Sequence, residues 1–263
     1  MTASTHFLEF HRPGELRIGQ NAGRFLAEAL GESGAAVAIA GARSAKGILA
    51  QLSRMGHDPV SAMQRGRFML FESSEMLSRF IARRGVDGEQ FGRTAGAALR
   101  EAKARAGGAP LHVFGDMVGL LWQRERRDSA IELEKLWIAL QGELGFALFC
   151  AYPVDVFSAD FSAAALDGVL GTHTHLSPSP ASADLGRAFD RAMDEVLGPQ
   201  APEARLIGGE STRRSWPAMP QLEKMILWLR THRPESAEMI LNRAREHYES
   251  SAPRVYLRQE HSR

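Results

Sequence analysis

The chain has 263 residues, 44% hydrophobic and 24% charged, with 32 Lys and Arg against 31 Asp and Glu. Such a chain can bury a sizeable core, which excludes a collagenous, wholly disordered or strongly basic nucleic-acid-coating protein. A single cysteine, Cys150, excludes an internal disulfide framework and multi-cysteine metal sites. Without a secretory leader in Met1–Phe10 or an apolar run near the roughly 18 residues of a membrane span, the expected place is the cytoplasm, with no membrane contact.

Taken in chain order, short apolar runs alternate with helical patterns. Strands are expected at His6–Phe10, Ala35–Ala40, Arg67–Phe71, Leu111–Phe114 and Phe146–Ala151, with weaker ones at Arg205–Ile207 and Val255–Leu257. Four of the runs are almost continuously apolar, the pattern of strands covered on both faces of a parallel sheet. Between them, Gln20–Leu30 places Phe25, Leu26, Ala29 and Leu30 on one helical face. Ser44–Met55 opens on a capping serine, and Ser73–Arg84 is a helix that Gly85 would stop. Glu89–Ala106 is Ala-rich, and Asp128 can cap a helix carrying Leu133, Leu136, Trp137 and Leu140. Strands alternating with helices predict a three-layer α/β fold with a mostly parallel sheet.

Past residue 180 the character changes. A Ser/Pro stretch ends near Ser182, and Ala183–Leu197, Gln221–Thr231 and Glu235–Tyr248 read as amphipathic helices. The expected division is therefore 1–180 for the α/β domain and 181–263 for a helical extension that docks or carries output. In the last helical pair, Met225, Ile226, Trp228 and Leu229 would face Met239, Ile240 and Leu241. From Glu203 to Arg263 there are 11 basic and 8 acidic residues, too small an excess for a nucleic-acid surface.

A parallel α/β chain invites a search for a phosphate loop. Gly14, Gly19 and Gly23 follow the first strand, but no Gly-Lys-Ser/Thr does: Arg24 follows Gly23, and Phe25 stands where a magnesium-binding hydroxyl is wanted. Gly19, Gly23 and Arg24 are thus at most a degenerate phosphate loop. The Gly41–Gly47 turn after the second strand matches no phosphate fingerprint, although a helix N-terminus there could take an anion.

Several stretches, in order, resemble the MEDS family of sensory domains. They are His6-Phe7-Leu8-Glu9-Phe10, Phe25–Leu30, Val37–Ala40, Gly66–Leu70, Phe114-Gly115-Asp116-Met117-Val118, Leu121-Trp122, Ala130–Trp137, Phe149-Cys150-Ala151-Tyr152-Pro153 and His173-Thr174-His175. Two positions depart from the family's pattern: His11–Gly14 replaces an aromatic and acidic residues, and Asp116 replaces a Glu. The resemblance implies a RecA-like core, related to KaiC-type ATPases, that has lost the phosphate loop. It also implies sensing of a small hydrocarbon-like molecule rather than catalysis, with no cofactor. Output would pass to a protein partner or a homodimer, since the chain carries no histidine-kinase pattern. Two rival readings are a degenerate nucleotide-binding protein or ATPase and a ligand-responsive DNA-binding transcription regulator, nucleic acid being the weaker of the expected partners.

Side chains suited to a ligand site follow. Asp116 lies just past a strand, where open α/β sheets bind ligands. Glu134 and Trp137, three apart, share a helix face, and Trp122 and Tyr152 could wall the same cavity. Cys150, inside an apolar run, is also a ligand candidate, although a cysteine so placed usually reads as an inert buried hydrophobe. His173 and His175, alternating in an extended stretch, would point to one side as half of a metal site, but no third ligand stands at short range, so no metal is expected.

Overall fold

The computed structural model describes residues 5–15, 17–83, 85–177, 182–210 and 216–251. The described residues of Met1–Asp155, Asp167–Ser177 and Ser215–Ala218 form one compact unit, and those of Val156–Leu166, Pro178–Arg214 and Met219–Arg263 a second. The Val255–Leu257 strand expectation lies outside the described residues.

The first unit begins β1 (His6–Phe10), α1 (Arg17–Gly31), β2 (Ala35–Ile39), α2 (Ala42–Arg54), α3 (Pro59–Gln64), β3 (Phe68–Phe71) and α4 (Ser73–Ser78). A hairpin of β4 (Ile81–Ala82) and β5 (Gly85–Val86) leads to α5 (Gly88–Arg93), α6 (Ala95–Ala106) and β6 (Leu111–Gly115). Then come α7 (Met117–Gln123), α8 (Arg127–Leu144), β7 (Ala147–Tyr152) and β8 (His175–Leu176), while α9 (Ala163–Leu170) belongs to this unit only from Asp167 on. Six strands form one sheet in the order β3-β2-β6-β7-β1-β8, and every pair in it is parallel. Such pairs need crossovers, and helices supply them on both faces.

Register sorts the side chains. Leu8 pairs with Cys150 and Phe10 with Tyr152, so His6, Leu8, Phe10, Leu148, Cys150 and Tyr152 share one face. Phe7, Glu9, Phe149 and Ala151 share the other, which α1 covers. There Phe25 stacks on His112 at 4.4 Å and meets Phe149 edge-on. α1 and α2 approach closely because glycine lines their crossing. A Cβ at Gly19 would lie 2.7 Å from the Ser44 carbonyl oxygen, and one at Gly23 2.6 Å from Gln51 Cβ.

The five principal strands stand where the apolar runs put them, to within a residue or two at their ends. Five details differ. Asp128 lies in the first turn of α8, which starts at Arg127, and is not its cap. α2 begins at Ala42 behind Gly41, so Ser44 is inside the helix and is not its cap. The Ser73–Arg84 helix stops at Ser78, because Phe80 turns into the core against Phe91 and the chain enters the β4–β5 hairpin, with Gly85 at φ +153°. The Glu89–Ala106 helix is two, broken at Thr94 (φ −110°, ψ −87°), whose hydroxyl donates to the Gln90 carbonyl at 2.6 Å. Arg205–Ile207 belongs to helix α11 (Ala201–Glu210), not to a strand. Ala201 and Ala204 bury there while Leu206 and Ile207 face solvent, so helical spacing overrides the apolar run.

The second unit contains α10 (Ser182–Leu197), a 3₁₀ turn (Gly198–Gln200), α11, α12 (Gln221–His232) and α13 (Pro234–Ser251). Met225, Ile226, Trp228, Leu229, Ile240 and Leu241 are buried as expected, while Met239 is exposed. The Arg230 guanidinium donates to the carbonyls of Ser158 and Phe161, which ties the 156–161 segment to α12. Among the described residues no helix is long and apolar enough to cross a membrane.

Candidate functional site

On the β1–β7 face, under α8, five side chains with acid–base chemistry meet. Strand register brings His6 and Cys150 onto this face, α8 presents Glu134, and the segment after α9 presents His173. Glu134 is fully buried, and its carboxylate takes the Tyr152 hydroxyl proton donor at 2.8 Å on Oε1 and the Cys150 thiol at 3.6 Å on Oε2. His6 Nε2 lies 3.3 Å from Cys150 Sγ and 3.4 Å from Glu134 Oε2. His173 Nε2 lies 3.4 Å from Glu134 Oε1, and the two imidazole centroids are 4.0 Å apart.

Burial dominates the ionisation of this group. It pushes Glu134 up to about 8, outweighing the Tyr152 and Cys150 hydrogen bonds that favour the charged form. It pulls His173 down to about 4 and His6 down to about 2, the neighbouring His173 adding to the effect on His6. Cys150 and Tyr152 are both held well above their ordinary values, burial first and Glu134 second. At neutral pH the cluster is therefore predominantly uncharged, as a desolvated site must be without a counter-ion.

Two imidazole nitrogens are left over. His173 Nδ1 lies 2.7 Å from the Val169 carbonyl, and that pairing makes Nδ1 the protonated nitrogen. Nε2 is then a bare lone pair, buried and without a hydrogen-bond partner. The Thr172 backbone is near enough to His6 to favour its protonated form, yet no atom meets hydrogen-bond geometry at His6 Nδ1.

Beside the cluster, Trp122 meets the Tyr152 ring edge-on at 5.5 Å, and the Arg127 guanidinium stands over the indole at 5.0 Å. Trp122 is 6% exposed, and its Nε1 donor is buried with no acceptor. Trp137 shares the buried face of α8 with Glu134 and packs edge-on to Phe91.

Asp116 stands elsewhere, past the carboxyl end of β6. The Gly41 amide donates to its Oδ2 at 3.0 Å, the Ser73 hydroxyl donates to Oδ1, and burial raises its pKa. An anion entering at the start of α2 would thus meet a carboxyl group already using the Gly41 amide. Gly19, Gly23 and Arg24 do not form a loop. All three are inside α1, the glycines against α2 and Arg24 donating to Asn21 on the same helix. Asn21 in turn donates to both oxygens of Glu9, at 2.8 and 3.0 Å.

A family model described as the MEthanogen/methylotroph, DcmR Sensory domain (MEDS) matches residues 5–174. The chain belongs to the MEDS family. No curated protein and no solved structure matches it at a significant level. The MEDS segment takes in the cluster, Trp122 and Asp116, and it ends one residue past His173.

Of the residues singled out in the sequence, the fold brings Glu134, Cys150 and Tyr152 into contact, sets Trp122 against Tyr152, leaves Trp137 on the buried face of α8 against Phe91 and keeps Asp116 apart. His173 and His175 do not point to one side as an HxH pair would. His173 is buried in the cluster, while His175 is exposed and lies against Phe7 on the opposite face. His6 carried no functional reading in the sequence. Its signal is positional: the first residue of an apolar strand, in phase with Leu8 and Phe10 on the buried face.

Proposed function

We propose that this MEDS protein is a non-enzymatic sensor of a small, mostly apolar ligand carrying one hydrogen-bond acceptor. The ligand would bind beside Trp122 and Tyr152. The carrying observation is the Trp122 Nε1 donor, buried and unpartnered in an aromatic wall. Leaving such a donor unmade costs on the order of 1–3 kcal/mol, which an incoming acceptor returns. Because the site is closed, ligand entry requires a change in its cover, and occupancy is thereby linked to conformation. That suits sensing better than repeated turnover. The Asp116–Gly41 contact and the helical placement of Gly19 and Gly23 favour this reading over a nucleotide-binding one. Output to a protein partner or a second copy is consistent with the exposed Leu206 and Ile207 of the second unit.

The test is thermal denaturation of wild type and Trp122→Phe with short alcohols, ketones and haloalkanes, each carrying one acceptor or none. Compounds with an acceptor are expected to raise the wild-type midpoint saturably. Trp122→Phe should weaken that response about tenfold, the worth of one hydrogen bond. Midpoints that fall in proportion to concentration, equally in both proteins, would overturn the reading.

A further inference from the structure

We propose that His6, Glu134, Cys150 and His173 together hold one divalent transition-metal ion of the zinc class. This goes beyond the ligand reading, because it uses different donors and does not depend on which organic molecule binds beside Trp122.

Geometry carries the proposal. One atom from each of the four side chains can be chosen so that all lie within 4.8 Å of one another. A tetrahedral ion with metal–ligand bonds of about 2.0–2.3 Å places its donors about 3.3–3.8 Å apart. The observed separations among one set of donors are 3.3 Å from His6 Nε2 to Cys150 Sγ, 3.4 Å from His6 Nε2 to Glu134 Oε2 and 3.6 Å from Cys150 Sγ to Glu134 Oε2, while His173 Nε2 lies 3.4 Å from the other carboxylate oxygen, Oε1. Both nitrogen–oxygen separations are long for hydrogen bonds, which run to about 3.2 Å, and the His6–Glu134 one, with the two sulfur contacts, matches the edges of a shared coordination sphere. The Tyr152–Glu134 contact nearby, at 2.8 Å, shows what a true hydrogen bond in this core looks like.

The surroundings of His173 and Glu134 agree, while His6 Nδ1 has no hydrogen-bond partner. A metal-binding imidazole donates its other N–H to a carbonyl or carboxylate, and His173 does so to Val169. Its Nε2 is the unpartnered buried atom facing the cluster. The Tyr152 hydroxyl orients the Glu134 carboxylate in the same way. Charge balances as well: one thiolate, one carboxylate and two neutral imidazoles cancel a dication, which removes the usual obstacle to burying one. A thiolate beside two imidazoles selects against magnesium and calcium and for the zinc-class ions. Tyr152 links this centre to the ligand wall, its hydroxyl on Glu134 and its ring against Trp122.

The experiment uses the full chain, unfolded with chelator and refolded with or without Co²⁺, so that the closed site is no barrier to entry. Refolding is confirmed by circular dichroism. The expected result is one cobalt per chain, with tetrahedral d–d bands and a thiolate-to-cobalt charge-transfer band that Zn²⁺ abolishes. Cys150→Ser should lose the charge-transfer band. Glu134→Gln, which keeps the shape of the neutral acid, should weaken binding about tenfold or more. His175→Ala, at the exposed neighbour, should change nothing. A refolded wild type that stays colourless overturns the proposal whatever the variants do, and so does a spectrum that Cys150→Ser leaves unchanged. Either outcome leaves the sensor reading standing, since that is tested at Trp122 on metal-free protein.

Discussion

Glu9 makes the burial argument quantitative. It is 3% exposed on the α1 side of the sheet, and burial raises its pKa from 4.5 to about 8, against the opposing Asn21 hydrogen bonds. Because the folded value is the higher, the native state holds a proton that the unfolded chain releases between about pH 4.5 and 8. The stability this group contributes is therefore fully present below pH 4.5 and is lost as pH rises through 8. With those two values, wild type loses about 2–3 kcal/mol between pH 5 and 7 through Glu9 alone. Glu9→Gln keeps the shape and an acceptor for Asn21 but does not titrate. Glu134 and Glu223, raised to about 8 and about 7, tilt both proteins alike and cancel in the difference. The assay is urea unfolding of both proteins from pH 5 to 8. The variant should gain on wild type by about 2–3 kcal/mol over pH 5–7, equivalent to roughly 5–10 °C in midpoint. Parallel curves, differing by less than about 0.5 kcal/mol in slope across the range, would refute the claim that Glu9 is buried with a raised pKa.

Three further outcomes are expected. Gly19→Ala should cost about 1–3 kcal/mol in chemical denaturation, since its Cβ would meet the Ser44 carbonyl at 2.7 Å and Gly47 Cα at 2.9 Å. Gly142→Ala, in helix α8 with nothing within 4 Å of the added Cβ, should instead stabilise by about 0.4–1 kcal/mol, so the pair of signs checks where α1 and α2 cross. Arg230→Met should destabilise by about 2–4 kcal/mol, because it strips the carbonyls of Ser158 and Phe161 of their donor; hydrogen exchange of the second unit would show a loss localised at 156–161 and α12.

The sheet was legible because its strands carry their burial in their composition. Ala35–Ile39 is buried at every position, as a central parallel strand flanked by helices must be, and no turn residue interrupts it. Short-range patterns misled where tertiary packing overrode them. Gly19 and Gly23, at most a degenerate phosphate loop in the sequence, serve close helix contact, because a glycine that admits a ligand and one that admits a neighbouring helix read alike in one sequence. Leu206 and Ile207 read as a strand only when their helical phase is ignored.

The cluster was half legible for a different reason. Glu134, Cys150 and Tyr152 sit in segments whose pattern already placed them near a sheet face, 16 to 18 residues apart across the α8–β7 turn. His6 and His173 join them only because β1 inserts between β7 and β8, and pairing over that sequence distance leaves no local trace. Parity along the strand is the clue that survives. His6 is in phase with Leu8 and Phe10, and a histidine on the inward parity of an apolar strand must find a partner or stay neutral at a cost. It meets the Cys150 thiol at 3.3 Å and stands 3.4 Å from Glu134 on α8, a carboxyl group buried for no packing reason that Leu or Met would not serve better. Two such costly residues meeting in one core is the observation that separates a site from ordinary packing.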